Sequence, residues 1–199
     1  MTTTNESLRR GLRGLRKTEA ATFRAISFES VMAHIRRDIT DDATTIDAYL
    51  ESATDFAEQY QNRCLCQAEW EASYDYFPAT FYLPVPPLVS VDEITYVDTA
   101  GVTQTLDADV YVVDAISQPG RVALAFGQVW PATQSQIGSV TVAFTAGYES
   151  ESLIPARARQ AIRMLTAHMY EHRGDEAAAS TIPVGVMELL DADKLLNYR

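Results

Sequence analysis

Apolar residues recur at steps of three and four in two early segments, and this spacing predicts two amphipathic helices. The first is short and is predicted to begin at Ser27, whose hydroxyl can cap the first turn. The second is predicted from about Asp41 to Gln61, with Asp41 or Asp42 as its cap. Its apolar stripe comprises Ile46, Tyr49, Leu50, Ala53, Phe56, Ala57 and Tyr60.

The period then changes to two. Residues 69–76 alternate strictly between polar and apolar side chains, which predicts a half-buried strand. Four prolines between 78 and 87 break the following stretch into short extended pieces. Turns are predicted at 98–101 and 118–120, and further strands at 89–97, 109–113, 121–126 and 139–144. Short strands with closely spaced turns indicate antiparallel pairing.

Helical spacing returns near the end of the chain. A third helix is predicted over 155–173, and an amphipathic segment follows over 184–196. The apolar stripe of the third helix comprises Ala158, Ala161, Ile162, Leu165 and Met169. The order of elements predicts the α+β class: a small α-helical bundle with an inserted antiparallel β domain between the second and third core helices. The predicted divisions are a basic N-terminal arm (1–25), helices 1 and 2 (26–66), the β domain (67–150), the third helix (151–175) and a C-terminal amphipathic tail (176–199).

Charge is distributed unevenly along this chain, whose formal net charge is −11. Residues 1–17 hold five basic residues against one acid, whereas residues 18–199 hold 11 basic and 26 acidic residues. The acidic body repels nucleic acid, and this charge suits either simple solubility or a lining past which DNA slides. The basic arm is expected to contact an acidic partner, either a protein or DNA phosphates, through Arg9, Arg10, Arg13, Arg16 and Lys17.

The pattern of the basic arm contains signals for and against a helix. Leu8, Leu12 and Leu15 have helical spacing, but Gly11 and Gly14 weaken an isolated helix. We therefore expect the arm to become ordered on its partner, with a disordered tail as the alternative.

Composition excludes several classes of protein. No apolar run approaches the ~20 residues of a membrane span, and the first 17 residues lack the apolar stretch of a secretory signal. A soluble protein made in a cytoplasm is expected. Cys64 and Cys66 are too few for a disulfide framework or a metal site, and we expect reduced thiols. No cofactor is expected.

One motif points to chemistry. His168, Glu171 and His172 follow the H-x-x-E-H order of inverted zinc peptidases, in which two histidines on one helical face bind zinc. Such a site needs a third ligand, which only a short tail remains to supply. Phosphate-binding glycine loops and G-x-S-x-G elbows are absent from the sequence. We therefore expect no catalytic, cofactor-binding or metal-binding residues, and zinc peptidase is retained as an alternative.

Aromatic residues of the alternating segment permit two interpretations. Trp70, Tyr74 and Tyr76 lie at even spacing and could form a platform for a ligand. Such a stripe more often belongs to a core or a subunit interface, which is the interpretation we favour. If the ligand interpretation is correct, the protein is a binding module of a phage or of a cell surface, and its β domain recognises the ligand. We keep this function as an alternative, as we do zinc peptidase.

Several segments together resemble a known family, the siphophage head–tail connector (adaptor) proteins, in the version with a β insertion. The resemblance covers roughly residues 26–192. The segments that carry it are Leu83-Pro84-Val85-Pro86-Pro87-Leu88, Ile94-Thr95-Tyr96-Val97-Asp98, Pro119-Gly120-Arg121, Trp130-Pro131, Ala146-Gly147-Tyr148, Ile154-Pro155, Arg159-Gln160-Ala161-Ile162 and His168-Met169-Tyr170-Glu171.

The resemblance implies a structural subunit and no enzyme. Members of this family, found in phages, prophages and gene transfer agents, form a ring, usually twelvefold, under the portal protein in the virion neck. DNA passes through the lumen without sequence recognition, and a stopper or tail-completion protein binds below. Assembly in a host bacterial cytoplasm, without contact to a membrane, is implied as well.

A partner site is expected at the C-terminal tail, because an amphipathic segment can dock into a groove of another protein. The residues expected to bind the portal are Val186, Leu189, Leu190, Leu196, Tyr198 and Arg199. The alternative is that the apolar ones among them cover the protein's own core.

Overall fold

A computed structural model describes residues 12–35, 42–174 and 181–195. These residues form two units. The first contains 12–22 and 67–147, and the second contains 23–35, 42–66, 148–174 and 181–195. Helices make up the second unit and antiparallel sheets the first, so the predicted mixture of helices and antiparallel strands is confirmed. Within the described ranges, no helix has the length and apolar character needed to cross a membrane.

The helical unit contains α1 (Phe28–Ile35), α2 (Ala43–Gln61), α3 (Ala156–Glu171) and α4 (Val184–Asp191). Helix α3 packs against the other three. Its predicted apolar stripe is largely confirmed, because Ala158, Ala161, Ile162 and Leu165 are buried. The stripe of α2 is buried at Ile46, Leu50, Ala53 and Ala57, and its larger aromatic residues are half-buried.

Helix ends follow the predicted capping only in part. The amide of Ser30 donates to the Ser27 hydroxyl over 3.3 Å, which confirms Ser27 as the cap of α1. Asp42 occupies the cap position of α2, as predicted, but its carboxylate makes no capping hydrogen bond. Its Oδ2 atom instead accepts from the Tyr170 hydroxyl (2.8 Å) and from Arg173 (3.1 Å) at the far end of α3. Asp41 lies outside the described residues.

The described residues of the β unit form eight strands. They are β1 (Leu12–Glu19), β2 (Ala68–Tyr74), β3 (Thr80–Leu83), β4 (Leu88–Val97), β5 (Thr103–Thr105), β6 (Tyr111–Asp114), β7 (Gly120–Leu124) and β8 (Val140–Ala146). One sheet has the order β1-β2-β8-β4-β5, and the other has the order β3-β7-β6. Every pairing within them is antiparallel.

Alternating residues of the two sheets make the core of this unit. Val140, Val142 and Phe144 of β8 are fully buried, and the ring of Tyr74 meets Phe81 of the other sheet edge-on at 4.8 Å. Gly120 is required where the sheets approach, because a Cβ there would lie 2.5 Å from a methyl carbon of Leu88.

The first strand corrects the interpretation of the N-terminal arm. Residues 12–19 form an edge strand paired with β2, not a helix. Gly14 disfavours a helix, and the open edge of β2 offers the backbone its hydrogen bonds. Seven of the eight residues of β1 are exposed, so this strand buries almost no apolar surface.

Other boundaries also differ from prediction. Strand β7 ends at Leu124 rather than at 126, and a 3-10 turn (Ala108–Val110) precedes β6. Strand β3 lies in a stretch for which only short extended pieces were predicted. Strand β5 lies between the predicted turn at 98–101 and the predicted strand at 109–113, where no element was predicted. Helix α4 ends at Asp191, so the C-terminal segment is helical over a shorter length than 184–196.

Candidate interaction surfaces

The basic residues of β1 lie beside acidic partners of the same chain. Arg13 contacts the Asp75 carboxylate at 2.6 Å, and Arg16 contacts Glu71 at 2.8 Å. The ammonium group of Lys17 lies 5.1 Å from the ring centre of Trp70. The hydrogen bond that Arg16 donates to the Glu71 carboxylate raises the pKa of the Arg16 guanidinium. All three basic residues are exposed on an edge strand, whereas Arg9 and Arg10 lie outside the described residues.

The C-terminal segment packs on its own unit. Val186 and Leu190 are 0% exposed, and the Gln61 side-chain amide donates to the Leu190 carbonyl over 2.9 Å. The Tyr60 hydroxyl donates to Asp191 over 2.6 Å. Val186 and Leu190 therefore cover the protein's own core, which was the alternative to portal binding. Leu189 is half-buried, and Leu196, Tyr198 and Arg199 lie outside the described residues.

The two histidines of the H-x-x-E-H motif lie together on the last turns of α3. Their rings are 4.3 Å apart, and Nδ1 of His172 lies 2.9 Å from the His168 carbonyl oxygen. This hydrogen bond occupies one of the two ring nitrogens of His172, while Glu171 is exposed. Across ranges 12–35, 42–174 and 181–195, no group of three or more His, Cys, Asp and Glu residues is arranged to hold a metal ion.

The cysteines are packed side chains. Both Cys64 and Cys66 are buried, and the Cys64 thiol lies 3.1 Å from the Cys66 carbonyl oxygen.

Three loops of the β unit meet at one end of its strands. They are residues 75–79, 98–102 and 125–139, and we call them together the loop end. Strand β2 ends there at Tyr74, and its register partner Val140 begins β8. Val140 also pairs with Tyr96, the residue before the last one of β4. The opposite end of β2 and β8 carries the pair Ala68 and Ala146.

Polar contacts hold the three loops to one another. The amide of Gly138 donates to the Asp75 carboxylate over 2.9 Å, and the amide of Gln134 donates to the Val97 carbonyl over 3.0 Å. Asp98 accepts from the amides of Ala100 and Val102 within its own turn. These amides lower the pKa of both carboxylates. For Asp75 the main cause is Gly138, followed by Arg13, and for Asp98 the main cause is Val102.

Aromatic contacts join two of these loops to each other and to the strands. The rings of Phe77 and Trp130 stack at 4.8 Å with only 8° between their planes. Phe77 also meets Tyr96 and Phe81 edge-on. The predicted aromatic stripe is divided between core and surface: Tyr74 is buried, Trp70 is half-buried and Tyr76 is exposed.

Apolar side chains nevertheless face solvent at the loop end. Phe126 is 106% exposed, Ile137 is 88% exposed and Val129 is 79% exposed. Phe126 lies on a turn closed by the Gln128 amide, which donates to the Ala125 carbonyl, and Gly127 supplies the positive φ of 80°. Tyr76 and Val102 add two half-exposed side chains.

Charge is nearly absent from this surface. Asp75 and Asp98 are the charged residues of the three loops, which contain no Lys, Arg or Glu, although 22% of the whole chain is charged. An exposed apolar surface with little charge is typical of a protein–protein contact.

The sequence pattern does not predict the loop end, because it places Phe126 at the last position of a strand and predicts no element around Ile137. The available signal was the placement of large apolar residues beside Gly127, Pro131 and Gly138, where turn residues predict exposure.

Comparison with solved structures gives the fold a context. The chain is 24% identical to one from the "Neck of empty GTA particle computed with C6 symmetry", with a TM-score of 0.77, covering 92% of this chain and 96% of that one. For a chain of the "Virion of native gene transfer agent (GTA) particle", the TM-score is 0.75 at 24% identity, with the same coverage.

A further chain, from the "Neck of native GTA particle computed with C12 symmetry", matches at 25% identity with a TM-score of 0.68, again over 92% of this chain and 96% of that chain. No protein-family model matches the sequence, and no curated protein is matched by it. This chain therefore shares its fold, over nearly its whole length, with chains of gene transfer agent particles.

Proposed function

We propose that this protein is a structural subunit of the neck of a tailed phage or of a phage-like particle such as a gene transfer agent, and that it is not an enzyme. The observation that carries the proposal is the shared fold over 92% of this chain and 96% of chains from such particles. Coverage this complete argues that the neck chains and this protein have the same architecture rather than one common module.

Within the neck, we assign the chain to the adaptor ring, docked under the portal and followed by a stopper or tail-completion protein. Reconstructions of the similar particles with C6 and C12 symmetry support a ring of identical copies, and we propose twelve. The excess of acidic over basic residues between 18 and 199 suits a conduit that DNA crosses without adhering.

The β unit is proposed to be a domain inserted in the helical bundle. Apart from the N-terminal strand β1, the described part of the unit is one continuous segment, which the chain enters at Gln67 and leaves at Gly147. Ala68 and Ala146, directly inside these points, are register partners on neighbouring strands. Entry and exit at adjacent positions are what an insertion between α2 and α3 requires.

Portal docking through the C-terminal tail remains a proposal, with a narrower set of residues. Val186 and Leu190 are occupied in the core, so docking would depend on Leu189 and on Leu196, Tyr198 and Arg199. Arg9, Arg10, Arg13, Arg16 and Lys17 are proposed to contact portal carboxylates or DNA phosphates. Support comes from β1, where the side chains of Arg13, Arg16 and Lys17 are exposed at the sheet edge.

Deleting the gene in a particle-producing strain tests the proposed function. A neck adaptor is needed to join head and tail, so we expect filled heads and separate tails by electron microscopy, and restoration by the full chain supplied in trans. Joined particles of normal appearance in the deletion strain would contradict the proposal.

A further inference from the structure

We infer that the loop end of the β unit contacts a second copy of this chain, with Phe126 and Ile137 as its main anchors. The inference depends on the ring proposed above and names the surface that builds it.

Exposure of apolar side chains is the first reason. Among the described residues, the four most exposed large apolar side chains are Phe126, Ile116, Ile137 and Val129, and three of these belong to the loop end. All three lie in the loop 125–139, and Tyr76 and Val102 of the two adjoining loops are half-exposed. Single exposed apolar residues are common on soluble proteins, but a concentration of this kind is typical of a contact surface.

The loops are organised before any partner binds. Asp75 joins the first loop to Gly138, Asp98 and Thr133 form a bridge between the second and third, and the stacked rings of Phe77 and Trp130 lie below. Because these contacts already fix the backbone, little ordering entropy is lost when the surface is covered. Aromatic side chains, phenylalanine included, are enriched in the cores of protein–protein interfaces, which suits Phe126 as an anchor.

Charge selects the class of partner. The three loops contain no Lys or Arg, and the guanidinium of Arg13, which lies beside them, is paired with Asp75, so the loop end is unsuited to binding DNA phosphates. A surface with two carboxylates, both engaged in hydrogen bonds within the unit, fits an apolar patch on another protein.

Symmetry favours a second copy as that protein. Chains of the same fold occur in necks reconstructed with C6 and C12 symmetry. A closed ring needs a heterologous contact, in which each subunit presents one patch to its neighbour and receives a different one. We assign the loop end to the presented patch, because its apolar side chains project into solvent.

Self-association of the purified full chain tests the inference. We would compare the parent by sedimentation equilibrium with the double variant Phe126→Ser, Ile137→Ser. Its matched control is Leu153→Ser, Val184→Ser, which removes two exposed apolar side chains from the helical unit. We expect association to weaken at least about tenfold in the loop-end variant and to remain within about twofold in the control. Circular dichroism would show that both are folded.

Equal association of the parent and the loop-end variant would overturn the inference, as would a parent that stays monomeric at every concentration. A photo-crosslinking amino acid at position 126 in assembled particles identifies the neighbour, and a crosslink to a different neck protein would also overturn it. If head–tail joining fails in the gene deletion but association is unchanged in the loop-end variant, the neck function stands and only this inference falls.

Discussion

The C-terminal helix and the loop end use apolar residues in opposite ways. In α4, Val186 and Leu190 recur at helical spacing and are completely buried in their own unit. At the loop end, Phe126 and Ile137 stand beside turn residues and are almost completely exposed. Regular apolar spacing therefore marks the protein's own core here, and the apolar residues left for a partner lie where the pattern is irregular.

Truncating one side chain in each region should change the free energy of unfolding by very different amounts, and this is the largest effect we expect. Leu190→Ala removes a fully buried side chain and leaves a cavity, so we expect a loss of about 2–5 kcal/mol in the free energy of unfolding. Phe126→Ala removes a larger side chain but should change that free energy by less than about 0.5 kcal/mol. Urea unfolding followed by circular dichroism measures both. Similar losses in the two variants would contradict the assignment of core and contact surface.

A crowded glycine of the β unit can be compared with an open glycine of the helical unit. Gly120→Ala places a methyl group against the Leu88 side chain, and the overpacking should cost about 1–3 kcal/mol. Its control is Gly174→Ala, where no atom lies within 4 Å. Thermal unfolding of the two variants measures the difference. A Gly120→Ala variant as stable as the control would show that the two sheets are not in close contact at this point.

The link between α2 and α3 provides a smaller effect in the helical unit. Asp42→Ala removes the acceptor for Tyr170 and Arg173. Because Asp42 is about a third exposed, we expect a loss of only about 1 kcal/mol in the free energy of unfolding. Asp55→Ala, an exposed residue of the same helix, serves as the control in parallel urea titrations. Equal stability of the two variants would argue against this link.

The smallest effect concerns pH at the loop end. The Gly138 amide and Arg13 lower the pKa of Asp75 below its ordinary value of 3.8. A carboxylate with a lowered folded pKa stabilises the protein above the unfolded value and loses that contribution as pH falls through the folded one. We therefore expect Asp75→Asn to lower the melting temperature relative to the parent at pH 7, with a smaller difference at pH 3.

The control for this pH dependence is Glu69→Gln, an exposed residue of β2. If the difference in melting temperature between the parent and Asp75→Asn is the same at both pH values, ionisation of Asp75 does not contribute to holding the loops together.

Local pattern was sufficient for most helices and for the long strands. The stripes of α2 and α3, the cap at Ser27 and the hairpin turn at 98–101 depend on near neighbours in sequence, and all appear as predicted. The Asp98 carboxylate in that turn binds amides two and four residues ahead, a contact that its own segment determines.

Long-range pairing explains what the pattern did not predict. Strand β1 exists because β2, more than 50 residues later, offers an open edge and the carboxylates of Glu71 and Asp75. The loop end could not be predicted because it is assembled from three separate segments. Exposure of Phe126 depends on where β7 ends, and the predicted strand ran two residues too far.

Cryo-electron microscopy of the neck in purified particles would locate this chain. We expect density for this two-unit fold, repeated in a closed ring between the portal and the tail, with the side chain of Phe126 against an adjacent copy. A neck built without this chain, or a ring position occupied by a different fold, would contradict the proposed function.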